Sequence, residues 1–152
     1  MNSTCYYLCM TDEQLRTRHG KSLRYMFTKV PFVAALGLEL VQWDTEGVVT
    51  VRMPVSDLAD NGGGTPHGGA IATLLDTAGA AAVWNGHDYE RGTKGSTVSL
   101  SVNYLGAARG EAVTAEARCV RRARELNYAL IEAVSESGRP VASAILTYRI
   151  VP

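Results

Sequence analysis

The chain is short of cysteine, of net charge and of any long uninterrupted apolar run. Its three cysteines, Cys5, Cys9 and Cys119, are too few for a disulfide framework. Cys5 and Cys9 would share a face if that end were helical, but two thiols without further Cys or His ligands make a poor metal site. Fifteen Lys and Arg balance fifteen Asp and Glu, which removes the basic excess that marks nucleic-acid binding by bulk electrostatics. No basic stretch followed by an apolar one opens the sequence, so no secretory signal is read there. The apolar run from Ala70 to Trp84 is shorter than the roughly 20 residues that span a bilayer. Three familiar chemistries are missing as well. No Gly-x-Ser-x-Gly elbow is present, and Gly62-Gly63-Gly64 lacks the Gly-Lys-Ser/Thr of a phosphate loop. His19, His67 and His87 are too scattered for a ligand set. The expectation is a cytoplasmic protein without metal, cofactor, nucleic-acid or membrane partner.

What is present fits one domain of 152 residues, enough to bury a sizeable core. Residues 1–10 show no pattern. Thr11 followed by Gln14 reads as a capping box opening a helix that runs to about Thr28, with Gly20 as its weak point. Residues 1–29 therefore read as a helical extension to a domain over 30–152. From Leu38 the period becomes two: Leu38, Leu40 and Gln42 alternate with Glu39, Val41 and Trp43. Asp44 to Gly47 is a hairpin turn and Val48 to Met53 the return strand. After the apolar helix and a loop from Asn85 to Gly95, alternation resumes in four strands. Val98, Leu100, Val102 and Tyr104 alternate with Thr97, Ser99, Ser101 and Asn103; three further strands begin near Val113, Leu126 and Val141. The fold class is α+β, an antiparallel sheet of five to six strands wrapped on a long central helix.

That helix carries the puzzle. Between Ala70 and Trp84 its only charge is Asp76 and its only other polar side chains are Thr73 and Thr77. A helix apolar all round is buried, and an isolated carboxylate there must be paired, reach a cleft or do chemistry. Upstream lies a glycine-rich loop. Gly68 and Gly69, lacking side chains, leave the N–H groups of the first helical turn open to a developing oxyanion.

Asn61, His67-Gly68-Gly69 six positions on and Asp76 nine past the histidine resemble the hotdog-fold thioesterases of the phenylacetate-pathway (PaaI-like) type. The helix LLDTAGAAAV and the stretch STVSLSVNYLGAARGE, Ser96 to Glu111, are similar to that family too, and the likeness covers about residues 30–151. It implies hydrolysis of acyl-CoA thioesters. Asp76 would be general base or nucleophile, the Gly68 N–H would polarise the thioester carbonyl, and Asn61 would position water or carboxylate. Thr97, with Ser96 as fallback, would assist Asp76. The family pattern includes His67, whose side chain reads more readily as shaping the turn than as an acid or base.

Gly68 and Asp76 are eight residues apart, about 12 Å along a helix, so one thioester carbon cannot touch both. The site then needs Asp76 of one subunit and Gly68 of another, making a homodimer a requirement; the family implies a tetramer of two such dimers. Small residues near Asp76, including Ala72, Thr73, Gly79, Ala80 and Val83, leave room either for an acyl group or for close helix–sheet packing. With Gly69 and Ser96, Thr73 and Ala80 are the candidate substrate contacts. Arg121 and Arg122 could meet the CoA phosphates or could be a solvated face. Two other readings stay open: a hotdog hydratase or dehydratase, and a non-catalytic acyl-CoA-binding or regulatory module.

Overall fold

The computed structural model describes residues 11–44 and 47–152; the expectations for residues 1–10, including Cys5 and Cys9, fall outside them. The capping box at Thr11 and Gln14 opens α1 (Asp12–Arg16), with the Gln14 N–H on Thr11 Oγ1. The helix breaks at Thr17 rather than weakening at Gly20. Thr17 is extended (φ −66°, ψ 158°), ends α1 and caps α2 (Arg18–Lys29) by accepting the Gly20 N–H. A side-chain cap competes well with helix continuation, and Gly20 lies buried inside α2. Leu23 and Phe27, four apart, form the buried stripe of α2, and Pro31 opens the short α3 (Pro31–Ala35).

One antiparallel sheet follows, with β1 (Glu39–Trp43), β2 (Val48–Met53), β3 (Lys94–Tyr104), β4 (Val113–Arg122), β5 (Leu126–Ser135) and β6 (Pro140–Val151) in the order β1-β2-β4-β5-β6-β3. The hairpin turn is pinned at Asp44, whose carboxylate accepts the Val48 N–H, and at Gly47, whose φ of 91° favours glycine. In β1 a bulge between Leu40 and Gln42 reverses the expected alternation: Gln42 is exposed and Trp43 packs on the core. An extra residue in one strand shifts everything beyond it to the other face.

Helix α4 (Gly68–Trp84) lies across the sheet, with Leu74, Leu75, Ala78, Ala81, Ala82 and Val83 fully buried. Its closest approach is at Gly79, where a Cβ would stand 2.7 Å from Leu146 and 3.1 Å from Ile131. Gly79 and the buried Val83 thus serve helix–sheet packing. Ala or larger at 79 would overpack the core at a cost of about 1–3 kcal/mol. Among the described residues β3 is one of the sheet's two edge strands, paired with β6, and it begins at Lys94, earlier than alternation indicates. Among the described residues no helix is long and apolar enough to cross a membrane.

Candidate active site

The loop before α4 closes on itself. His67 N–H donates to the Ala59 carbonyl and Asn61 N–H to that of Thr65, while the Asn61 side-chain oxygen accepts the Gly63 N–H. These bonds turn the chain so that His67 (φ −60°, ψ 142°) becomes the cap of α4 and its Nδ1 accepts from Gly69 N–H at 2.9 Å. Of the two glycine amides at the helix start, Gly69's is therefore occupied. Gly68's has no partner among the described residues. It lies at the positive end of a 17-residue helix. His67 does for the turn what its position in the loop indicated.

Tyr104, at the far end of β3, covers this corner. Its hydroxyl donates to the Gly68 carbonyl at 2.9 Å, and its ring lies 3.5 Å from where a Gly68 Cβ would be. Alternation grouped Tyr104 with Val98, Leu100 and Val102, but no motif singled out its hydroxyl. Beside it a cavity of about 200 Å³ is lined by Pro66, Gly68, Ile71, Tyr104, Ala108 and Val141, among others.

Two turns along α4, half-buried Asp76 accepts a hydrogen bond from Thr97 Oγ1 at 2.7 Å. The neighbouring Thr73 is engaged elsewhere, donating to the Gly69 carbonyl one turn back. A bulge at Val98 makes the Asp76 contact possible. Thr97 pairs with Tyr148 and Ser99 with Thr147, leaving Val98 unpaired and 56% exposed. Without the extra residue, Thr97 and Leu100 would face opposite ways; with it, Thr97 meets α4 while Leu100 and Val102 pack on the core. Ser96 lies opposite Arg149 and is exposed. Ala80 is buried one turn beyond Asp76.

The two arginines part company. Arg121 is exposed, whereas Arg122 donates to the Val83 carbonyl at 2.6 Å and the Ala82 carbonyl at 3.2 Å. A third bulge, between Cys119 and Arg121, turns it inward. A guanidinium on the last carbonyls of a buried helix satisfies orphaned acceptors at its negative end. Arg122 is thus engaged by the helix, which leaves Arg121 as the arginine of this pair presented to solvent.

The aromatic residues past Asp76 gave no signal as a group in the sequence. Trp84 Nε1 donates to the Tyr148 hydroxyl at 3.2 Å, and Trp84 stacks on Tyr89 with centroids 5.7 Å apart. The Tyr148 hydroxyl titrates above its ordinary value, chiefly because it is buried, with the Asp76 charge adding to the rise. His87, buried below Trp84 and bonded to the Gly92 carbonyl, has its pKa lowered by that burial.

A helix presenting an open N–H at its start, a carboxylate at its middle and a sheet curled around it is the hotdog arrangement, and comparison with known proteins agrees. The thioesterase superfamily model matches residues 63–142, from the glycine loop to β6. The chain belongs to the thioesterase superfamily. It is 31% identical, over 93% of its length and 97% of the relative's, to the medium/long-chain acyl-CoA thioesterase YigI of Escherichia coli. The PaaI protein of the E. coli phenylacetic acid degradation operon shares the fold at a TM-score of 0.77 and 24% identity, covering 88% of this chain and 94% of that one. A Streptococcus pneumoniae thioesterase structure with coenzyme A superposes at a TM-score of 0.71 and 25% identity, covering 86% and 95%. As a member of this superfamily the protein is a thioester hydrolase.

Proposed function

We propose that the protein hydrolyses acyl-CoA thioesters at a site shared by two copies of the chain. The observation that carries this reading is the separation on α4: the Thr97–Asp76 pair stands about 12 Å from the open Gly68 N–H. Strand β3 offers the means of joining them. It touches α4 at both places, through Thr97 at Asp76 and through Tyr104 at Gly68, and among the described residues its outer edge is unpaired. A long exposed edge is a template for a second strand. Antiparallel pairing of two β3 edges about a point between Leu100 and Ser101 brings Thr97 of one copy opposite Tyr104 of the other, and so Asp76 towards the partner's Gly68. The Leu130–Ile145 cross-strand pair, 42% and 54% exposed on the outer face of the sheet, suits the stacking of two such dimers into a tetramer.

At that junction Asp76 takes a proton from water as the water oxygen bonds to the thioester carbonyl carbon, or attacks that carbon itself to form an anhydride that water then hydrolyses. The Gly68 N–H of the partner stabilises the oxyanion, and collapse expels the CoA thiolate. Thr97 holds the carboxylate's orientation through Oδ1, leaving Oδ2 for the water. Asn61 lies in the Gly68 loop and acts from the partner side, where its amide N–H groups orient the water. Gly69, Thr73, Ala80 and Ser96 border the substrate, and Arg121 meets the CoA phosphates. The name of the E. coli relative favours an acyl group of medium or long chain.

A panel of acyl-CoAs read by thiol release tests the reading. Wild type should release CoA and Asp76→Ala should not; release by the variant at the wild-type rate would sink it. A hydratase would leave the thioester intact, and a binding module would release nothing from any substrate.

A further inference from the structure

Beyond Asp76 lies a chamber of about 540 Å³, within the range of pockets that hold small-molecule ligands. Its lining includes Tyr148 and Gly95, beside the Thr97–Asp76 pair, with Trp84 and Tyr89 and, from α2 and its end, Met26 and Val30. Asp76, Ala80 and Trp84 are spaced by four and share one stripe of α4, about 12 Å from first to last, and Tyr148 on the chamber wall lies opposite Thr97, the residue bonded to Asp76. Position 95 keeps the near wall in place: a Cβ there would stand 2.5 Å from the Tyr148 ring and 2.8 Å from the Trp84 ring. Arg18, the charged residue of the lining, is engaged by its neighbours. Arg18 lies 4.4 Å over the Tyr89 ring and pairs with Glu90 at 3.7 Å.

We propose that this chamber receives the hydrocarbon tail of an extended aliphatic acyl group, and that α2 is its outer wall. The proposal rests on the thioesterase reading above and adds where the tail goes and what limits it. Its chemistry follows from the lining: aromatic faces and a methionine offer contact without spare charge, and the chamber begins past the carboxylate rather than at it. An acetyl group ends before reaching the indole. A tail of eight or more carbons enters, and burying it gives affinity that short acyl groups lack. The helical extension thereby has a task in specificity.

The test uses the full chain with decanoyl-CoA and butyryl-CoA. Thr93, exposed on the chamber's rim, is replaced by Phe to fill it. The decanoyl-to-butyryl ratio of kcat/KM should fall by about tenfold or more, as pocket-size discrimination does elsewhere; being a ratio, it is insensitive to partial loss of folded enzyme. A second measurement needs no turnover. In Asp76→Asn with Trp43→Phe, Trp84 is the remaining tryptophan, and decanoyl-CoA should shift its emission while butyryl-CoA should not. An unchanged ratio together with unchanged emission overturns the chamber. Shifted emission with no hydrolysis of any acyl-CoA by wild type would instead retain the chamber and remove the thioesterase reading.

Discussion

Thr97 reaches Asp76, 2.7 Å from Oγ1 to Oδ1, because β3 carries one residue more than its partner strand at Val98. A regular strand would have turned Thr97 to the outer face, and the carboxylate on α4 would have lost its hydroxyl partner. The hydroxyl's proton is directed at one carboxylate oxygen, leaving the other to address water. Thr97→Val should therefore lower kcat by about 10- to 100-fold with KM little changed, the scale of loss when a reacting group is misplaced by about an ångström. Thr97→Ser should keep most activity, and Ser96→Ala should be near wild type because Ser96 lies opposite Arg149, away from this contact. Steady-state kinetics on the three variants decide it; equal losses for Thr97→Val and Ser96→Ala would remove the distinction.

Gly68 can be tested without disturbing the helix. It is the first residue of α4, the position where proline is tolerated because its missing N–H has no helical partner. The preceding His67 already has the extended backbone that proline imposes on its neighbour. Gly68→Pro removes the proposed oxyanion donor and little else. Thermal stability should stay within about 1 kcal/mol of wild type, while kcat falls by about 10²- to 10³-fold. A variant that unfolds, or one that turns over normally, would count against this role.

The elements were legible where period and caps agree. The capping box at Thr11, the hairpin at Asp44 and Gly47, the apolar helix and the strands after it all follow from local rules. The departures come from bulges, which alternation cannot signal because the extra residue looks like any other. Leu40–Gln42 moved Trp43 inward, Thr97–Ser99 moved Thr97 onto α4, and Cys119–Arg121 moved Arg122 onto the helix end. Asp76, Gly68 and His67 were readable as a motif. Tyr104 and the Trp84–Tyr148 pair were not, since each works through contacts between segments 36 and 64 residues apart.

Arg121 and Arg122, adjacent in sequence, should behave as opposites. Arg122 bonds two carbonyls at the end of α4, so Arg122→Ala should cost about 1–3 kcal/mol of stability with KM for acyl-CoA unaltered in the folded fraction. Exposed Arg121→Ala should leave stability near wild type and raise KM for the CoA thioester, but not for a short thiol ester lacking the nucleotide. Chemical denaturation alongside kinetics separates the two. Matching effects in both assays would return them to a single role.

Glu111 fastens the β5–β6 turn and should give it an acid limit. Its carboxylate accepts the Ser137 N–H at 2.9 Å and pairs with Arg139. The Ser137 amide is the largest cause holding its pKa down to about 2, from an ordinary 4.5. With the folded value below the unfolded one, the contribution is complete above about pH 4.5 and disappears as pH falls towards 2. The difference in melting temperature between wild type and Glu111→Gln should accordingly be constant near neutrality and shrink through that window. A difference that grew on acidification would have the wrong sign for this contact.

If each site takes Asp76 from one copy and Gly68 from the other, two dead enzymes should make a live one. Asp76→Ala has no carboxylate but an intact Gly68 N–H; Gly68→Pro has the reverse. Mixed and allowed to exchange subunits in equal amounts, they form random dimers of which about half are hybrids. Every hybrid holds one complete site, contributed by the Gly68→Pro chain's Asp76 and the Asp76→Ala chain's Gly68, and one site lacking both groups. Activity should recover to about a quarter of wild type at equal total protein, with stacking into tetramers making no difference to the count. A site contained within one chain gives a mixture no more active than its parents. The outcome reads directly whether α4 gives its two ends of chemistry to different centres.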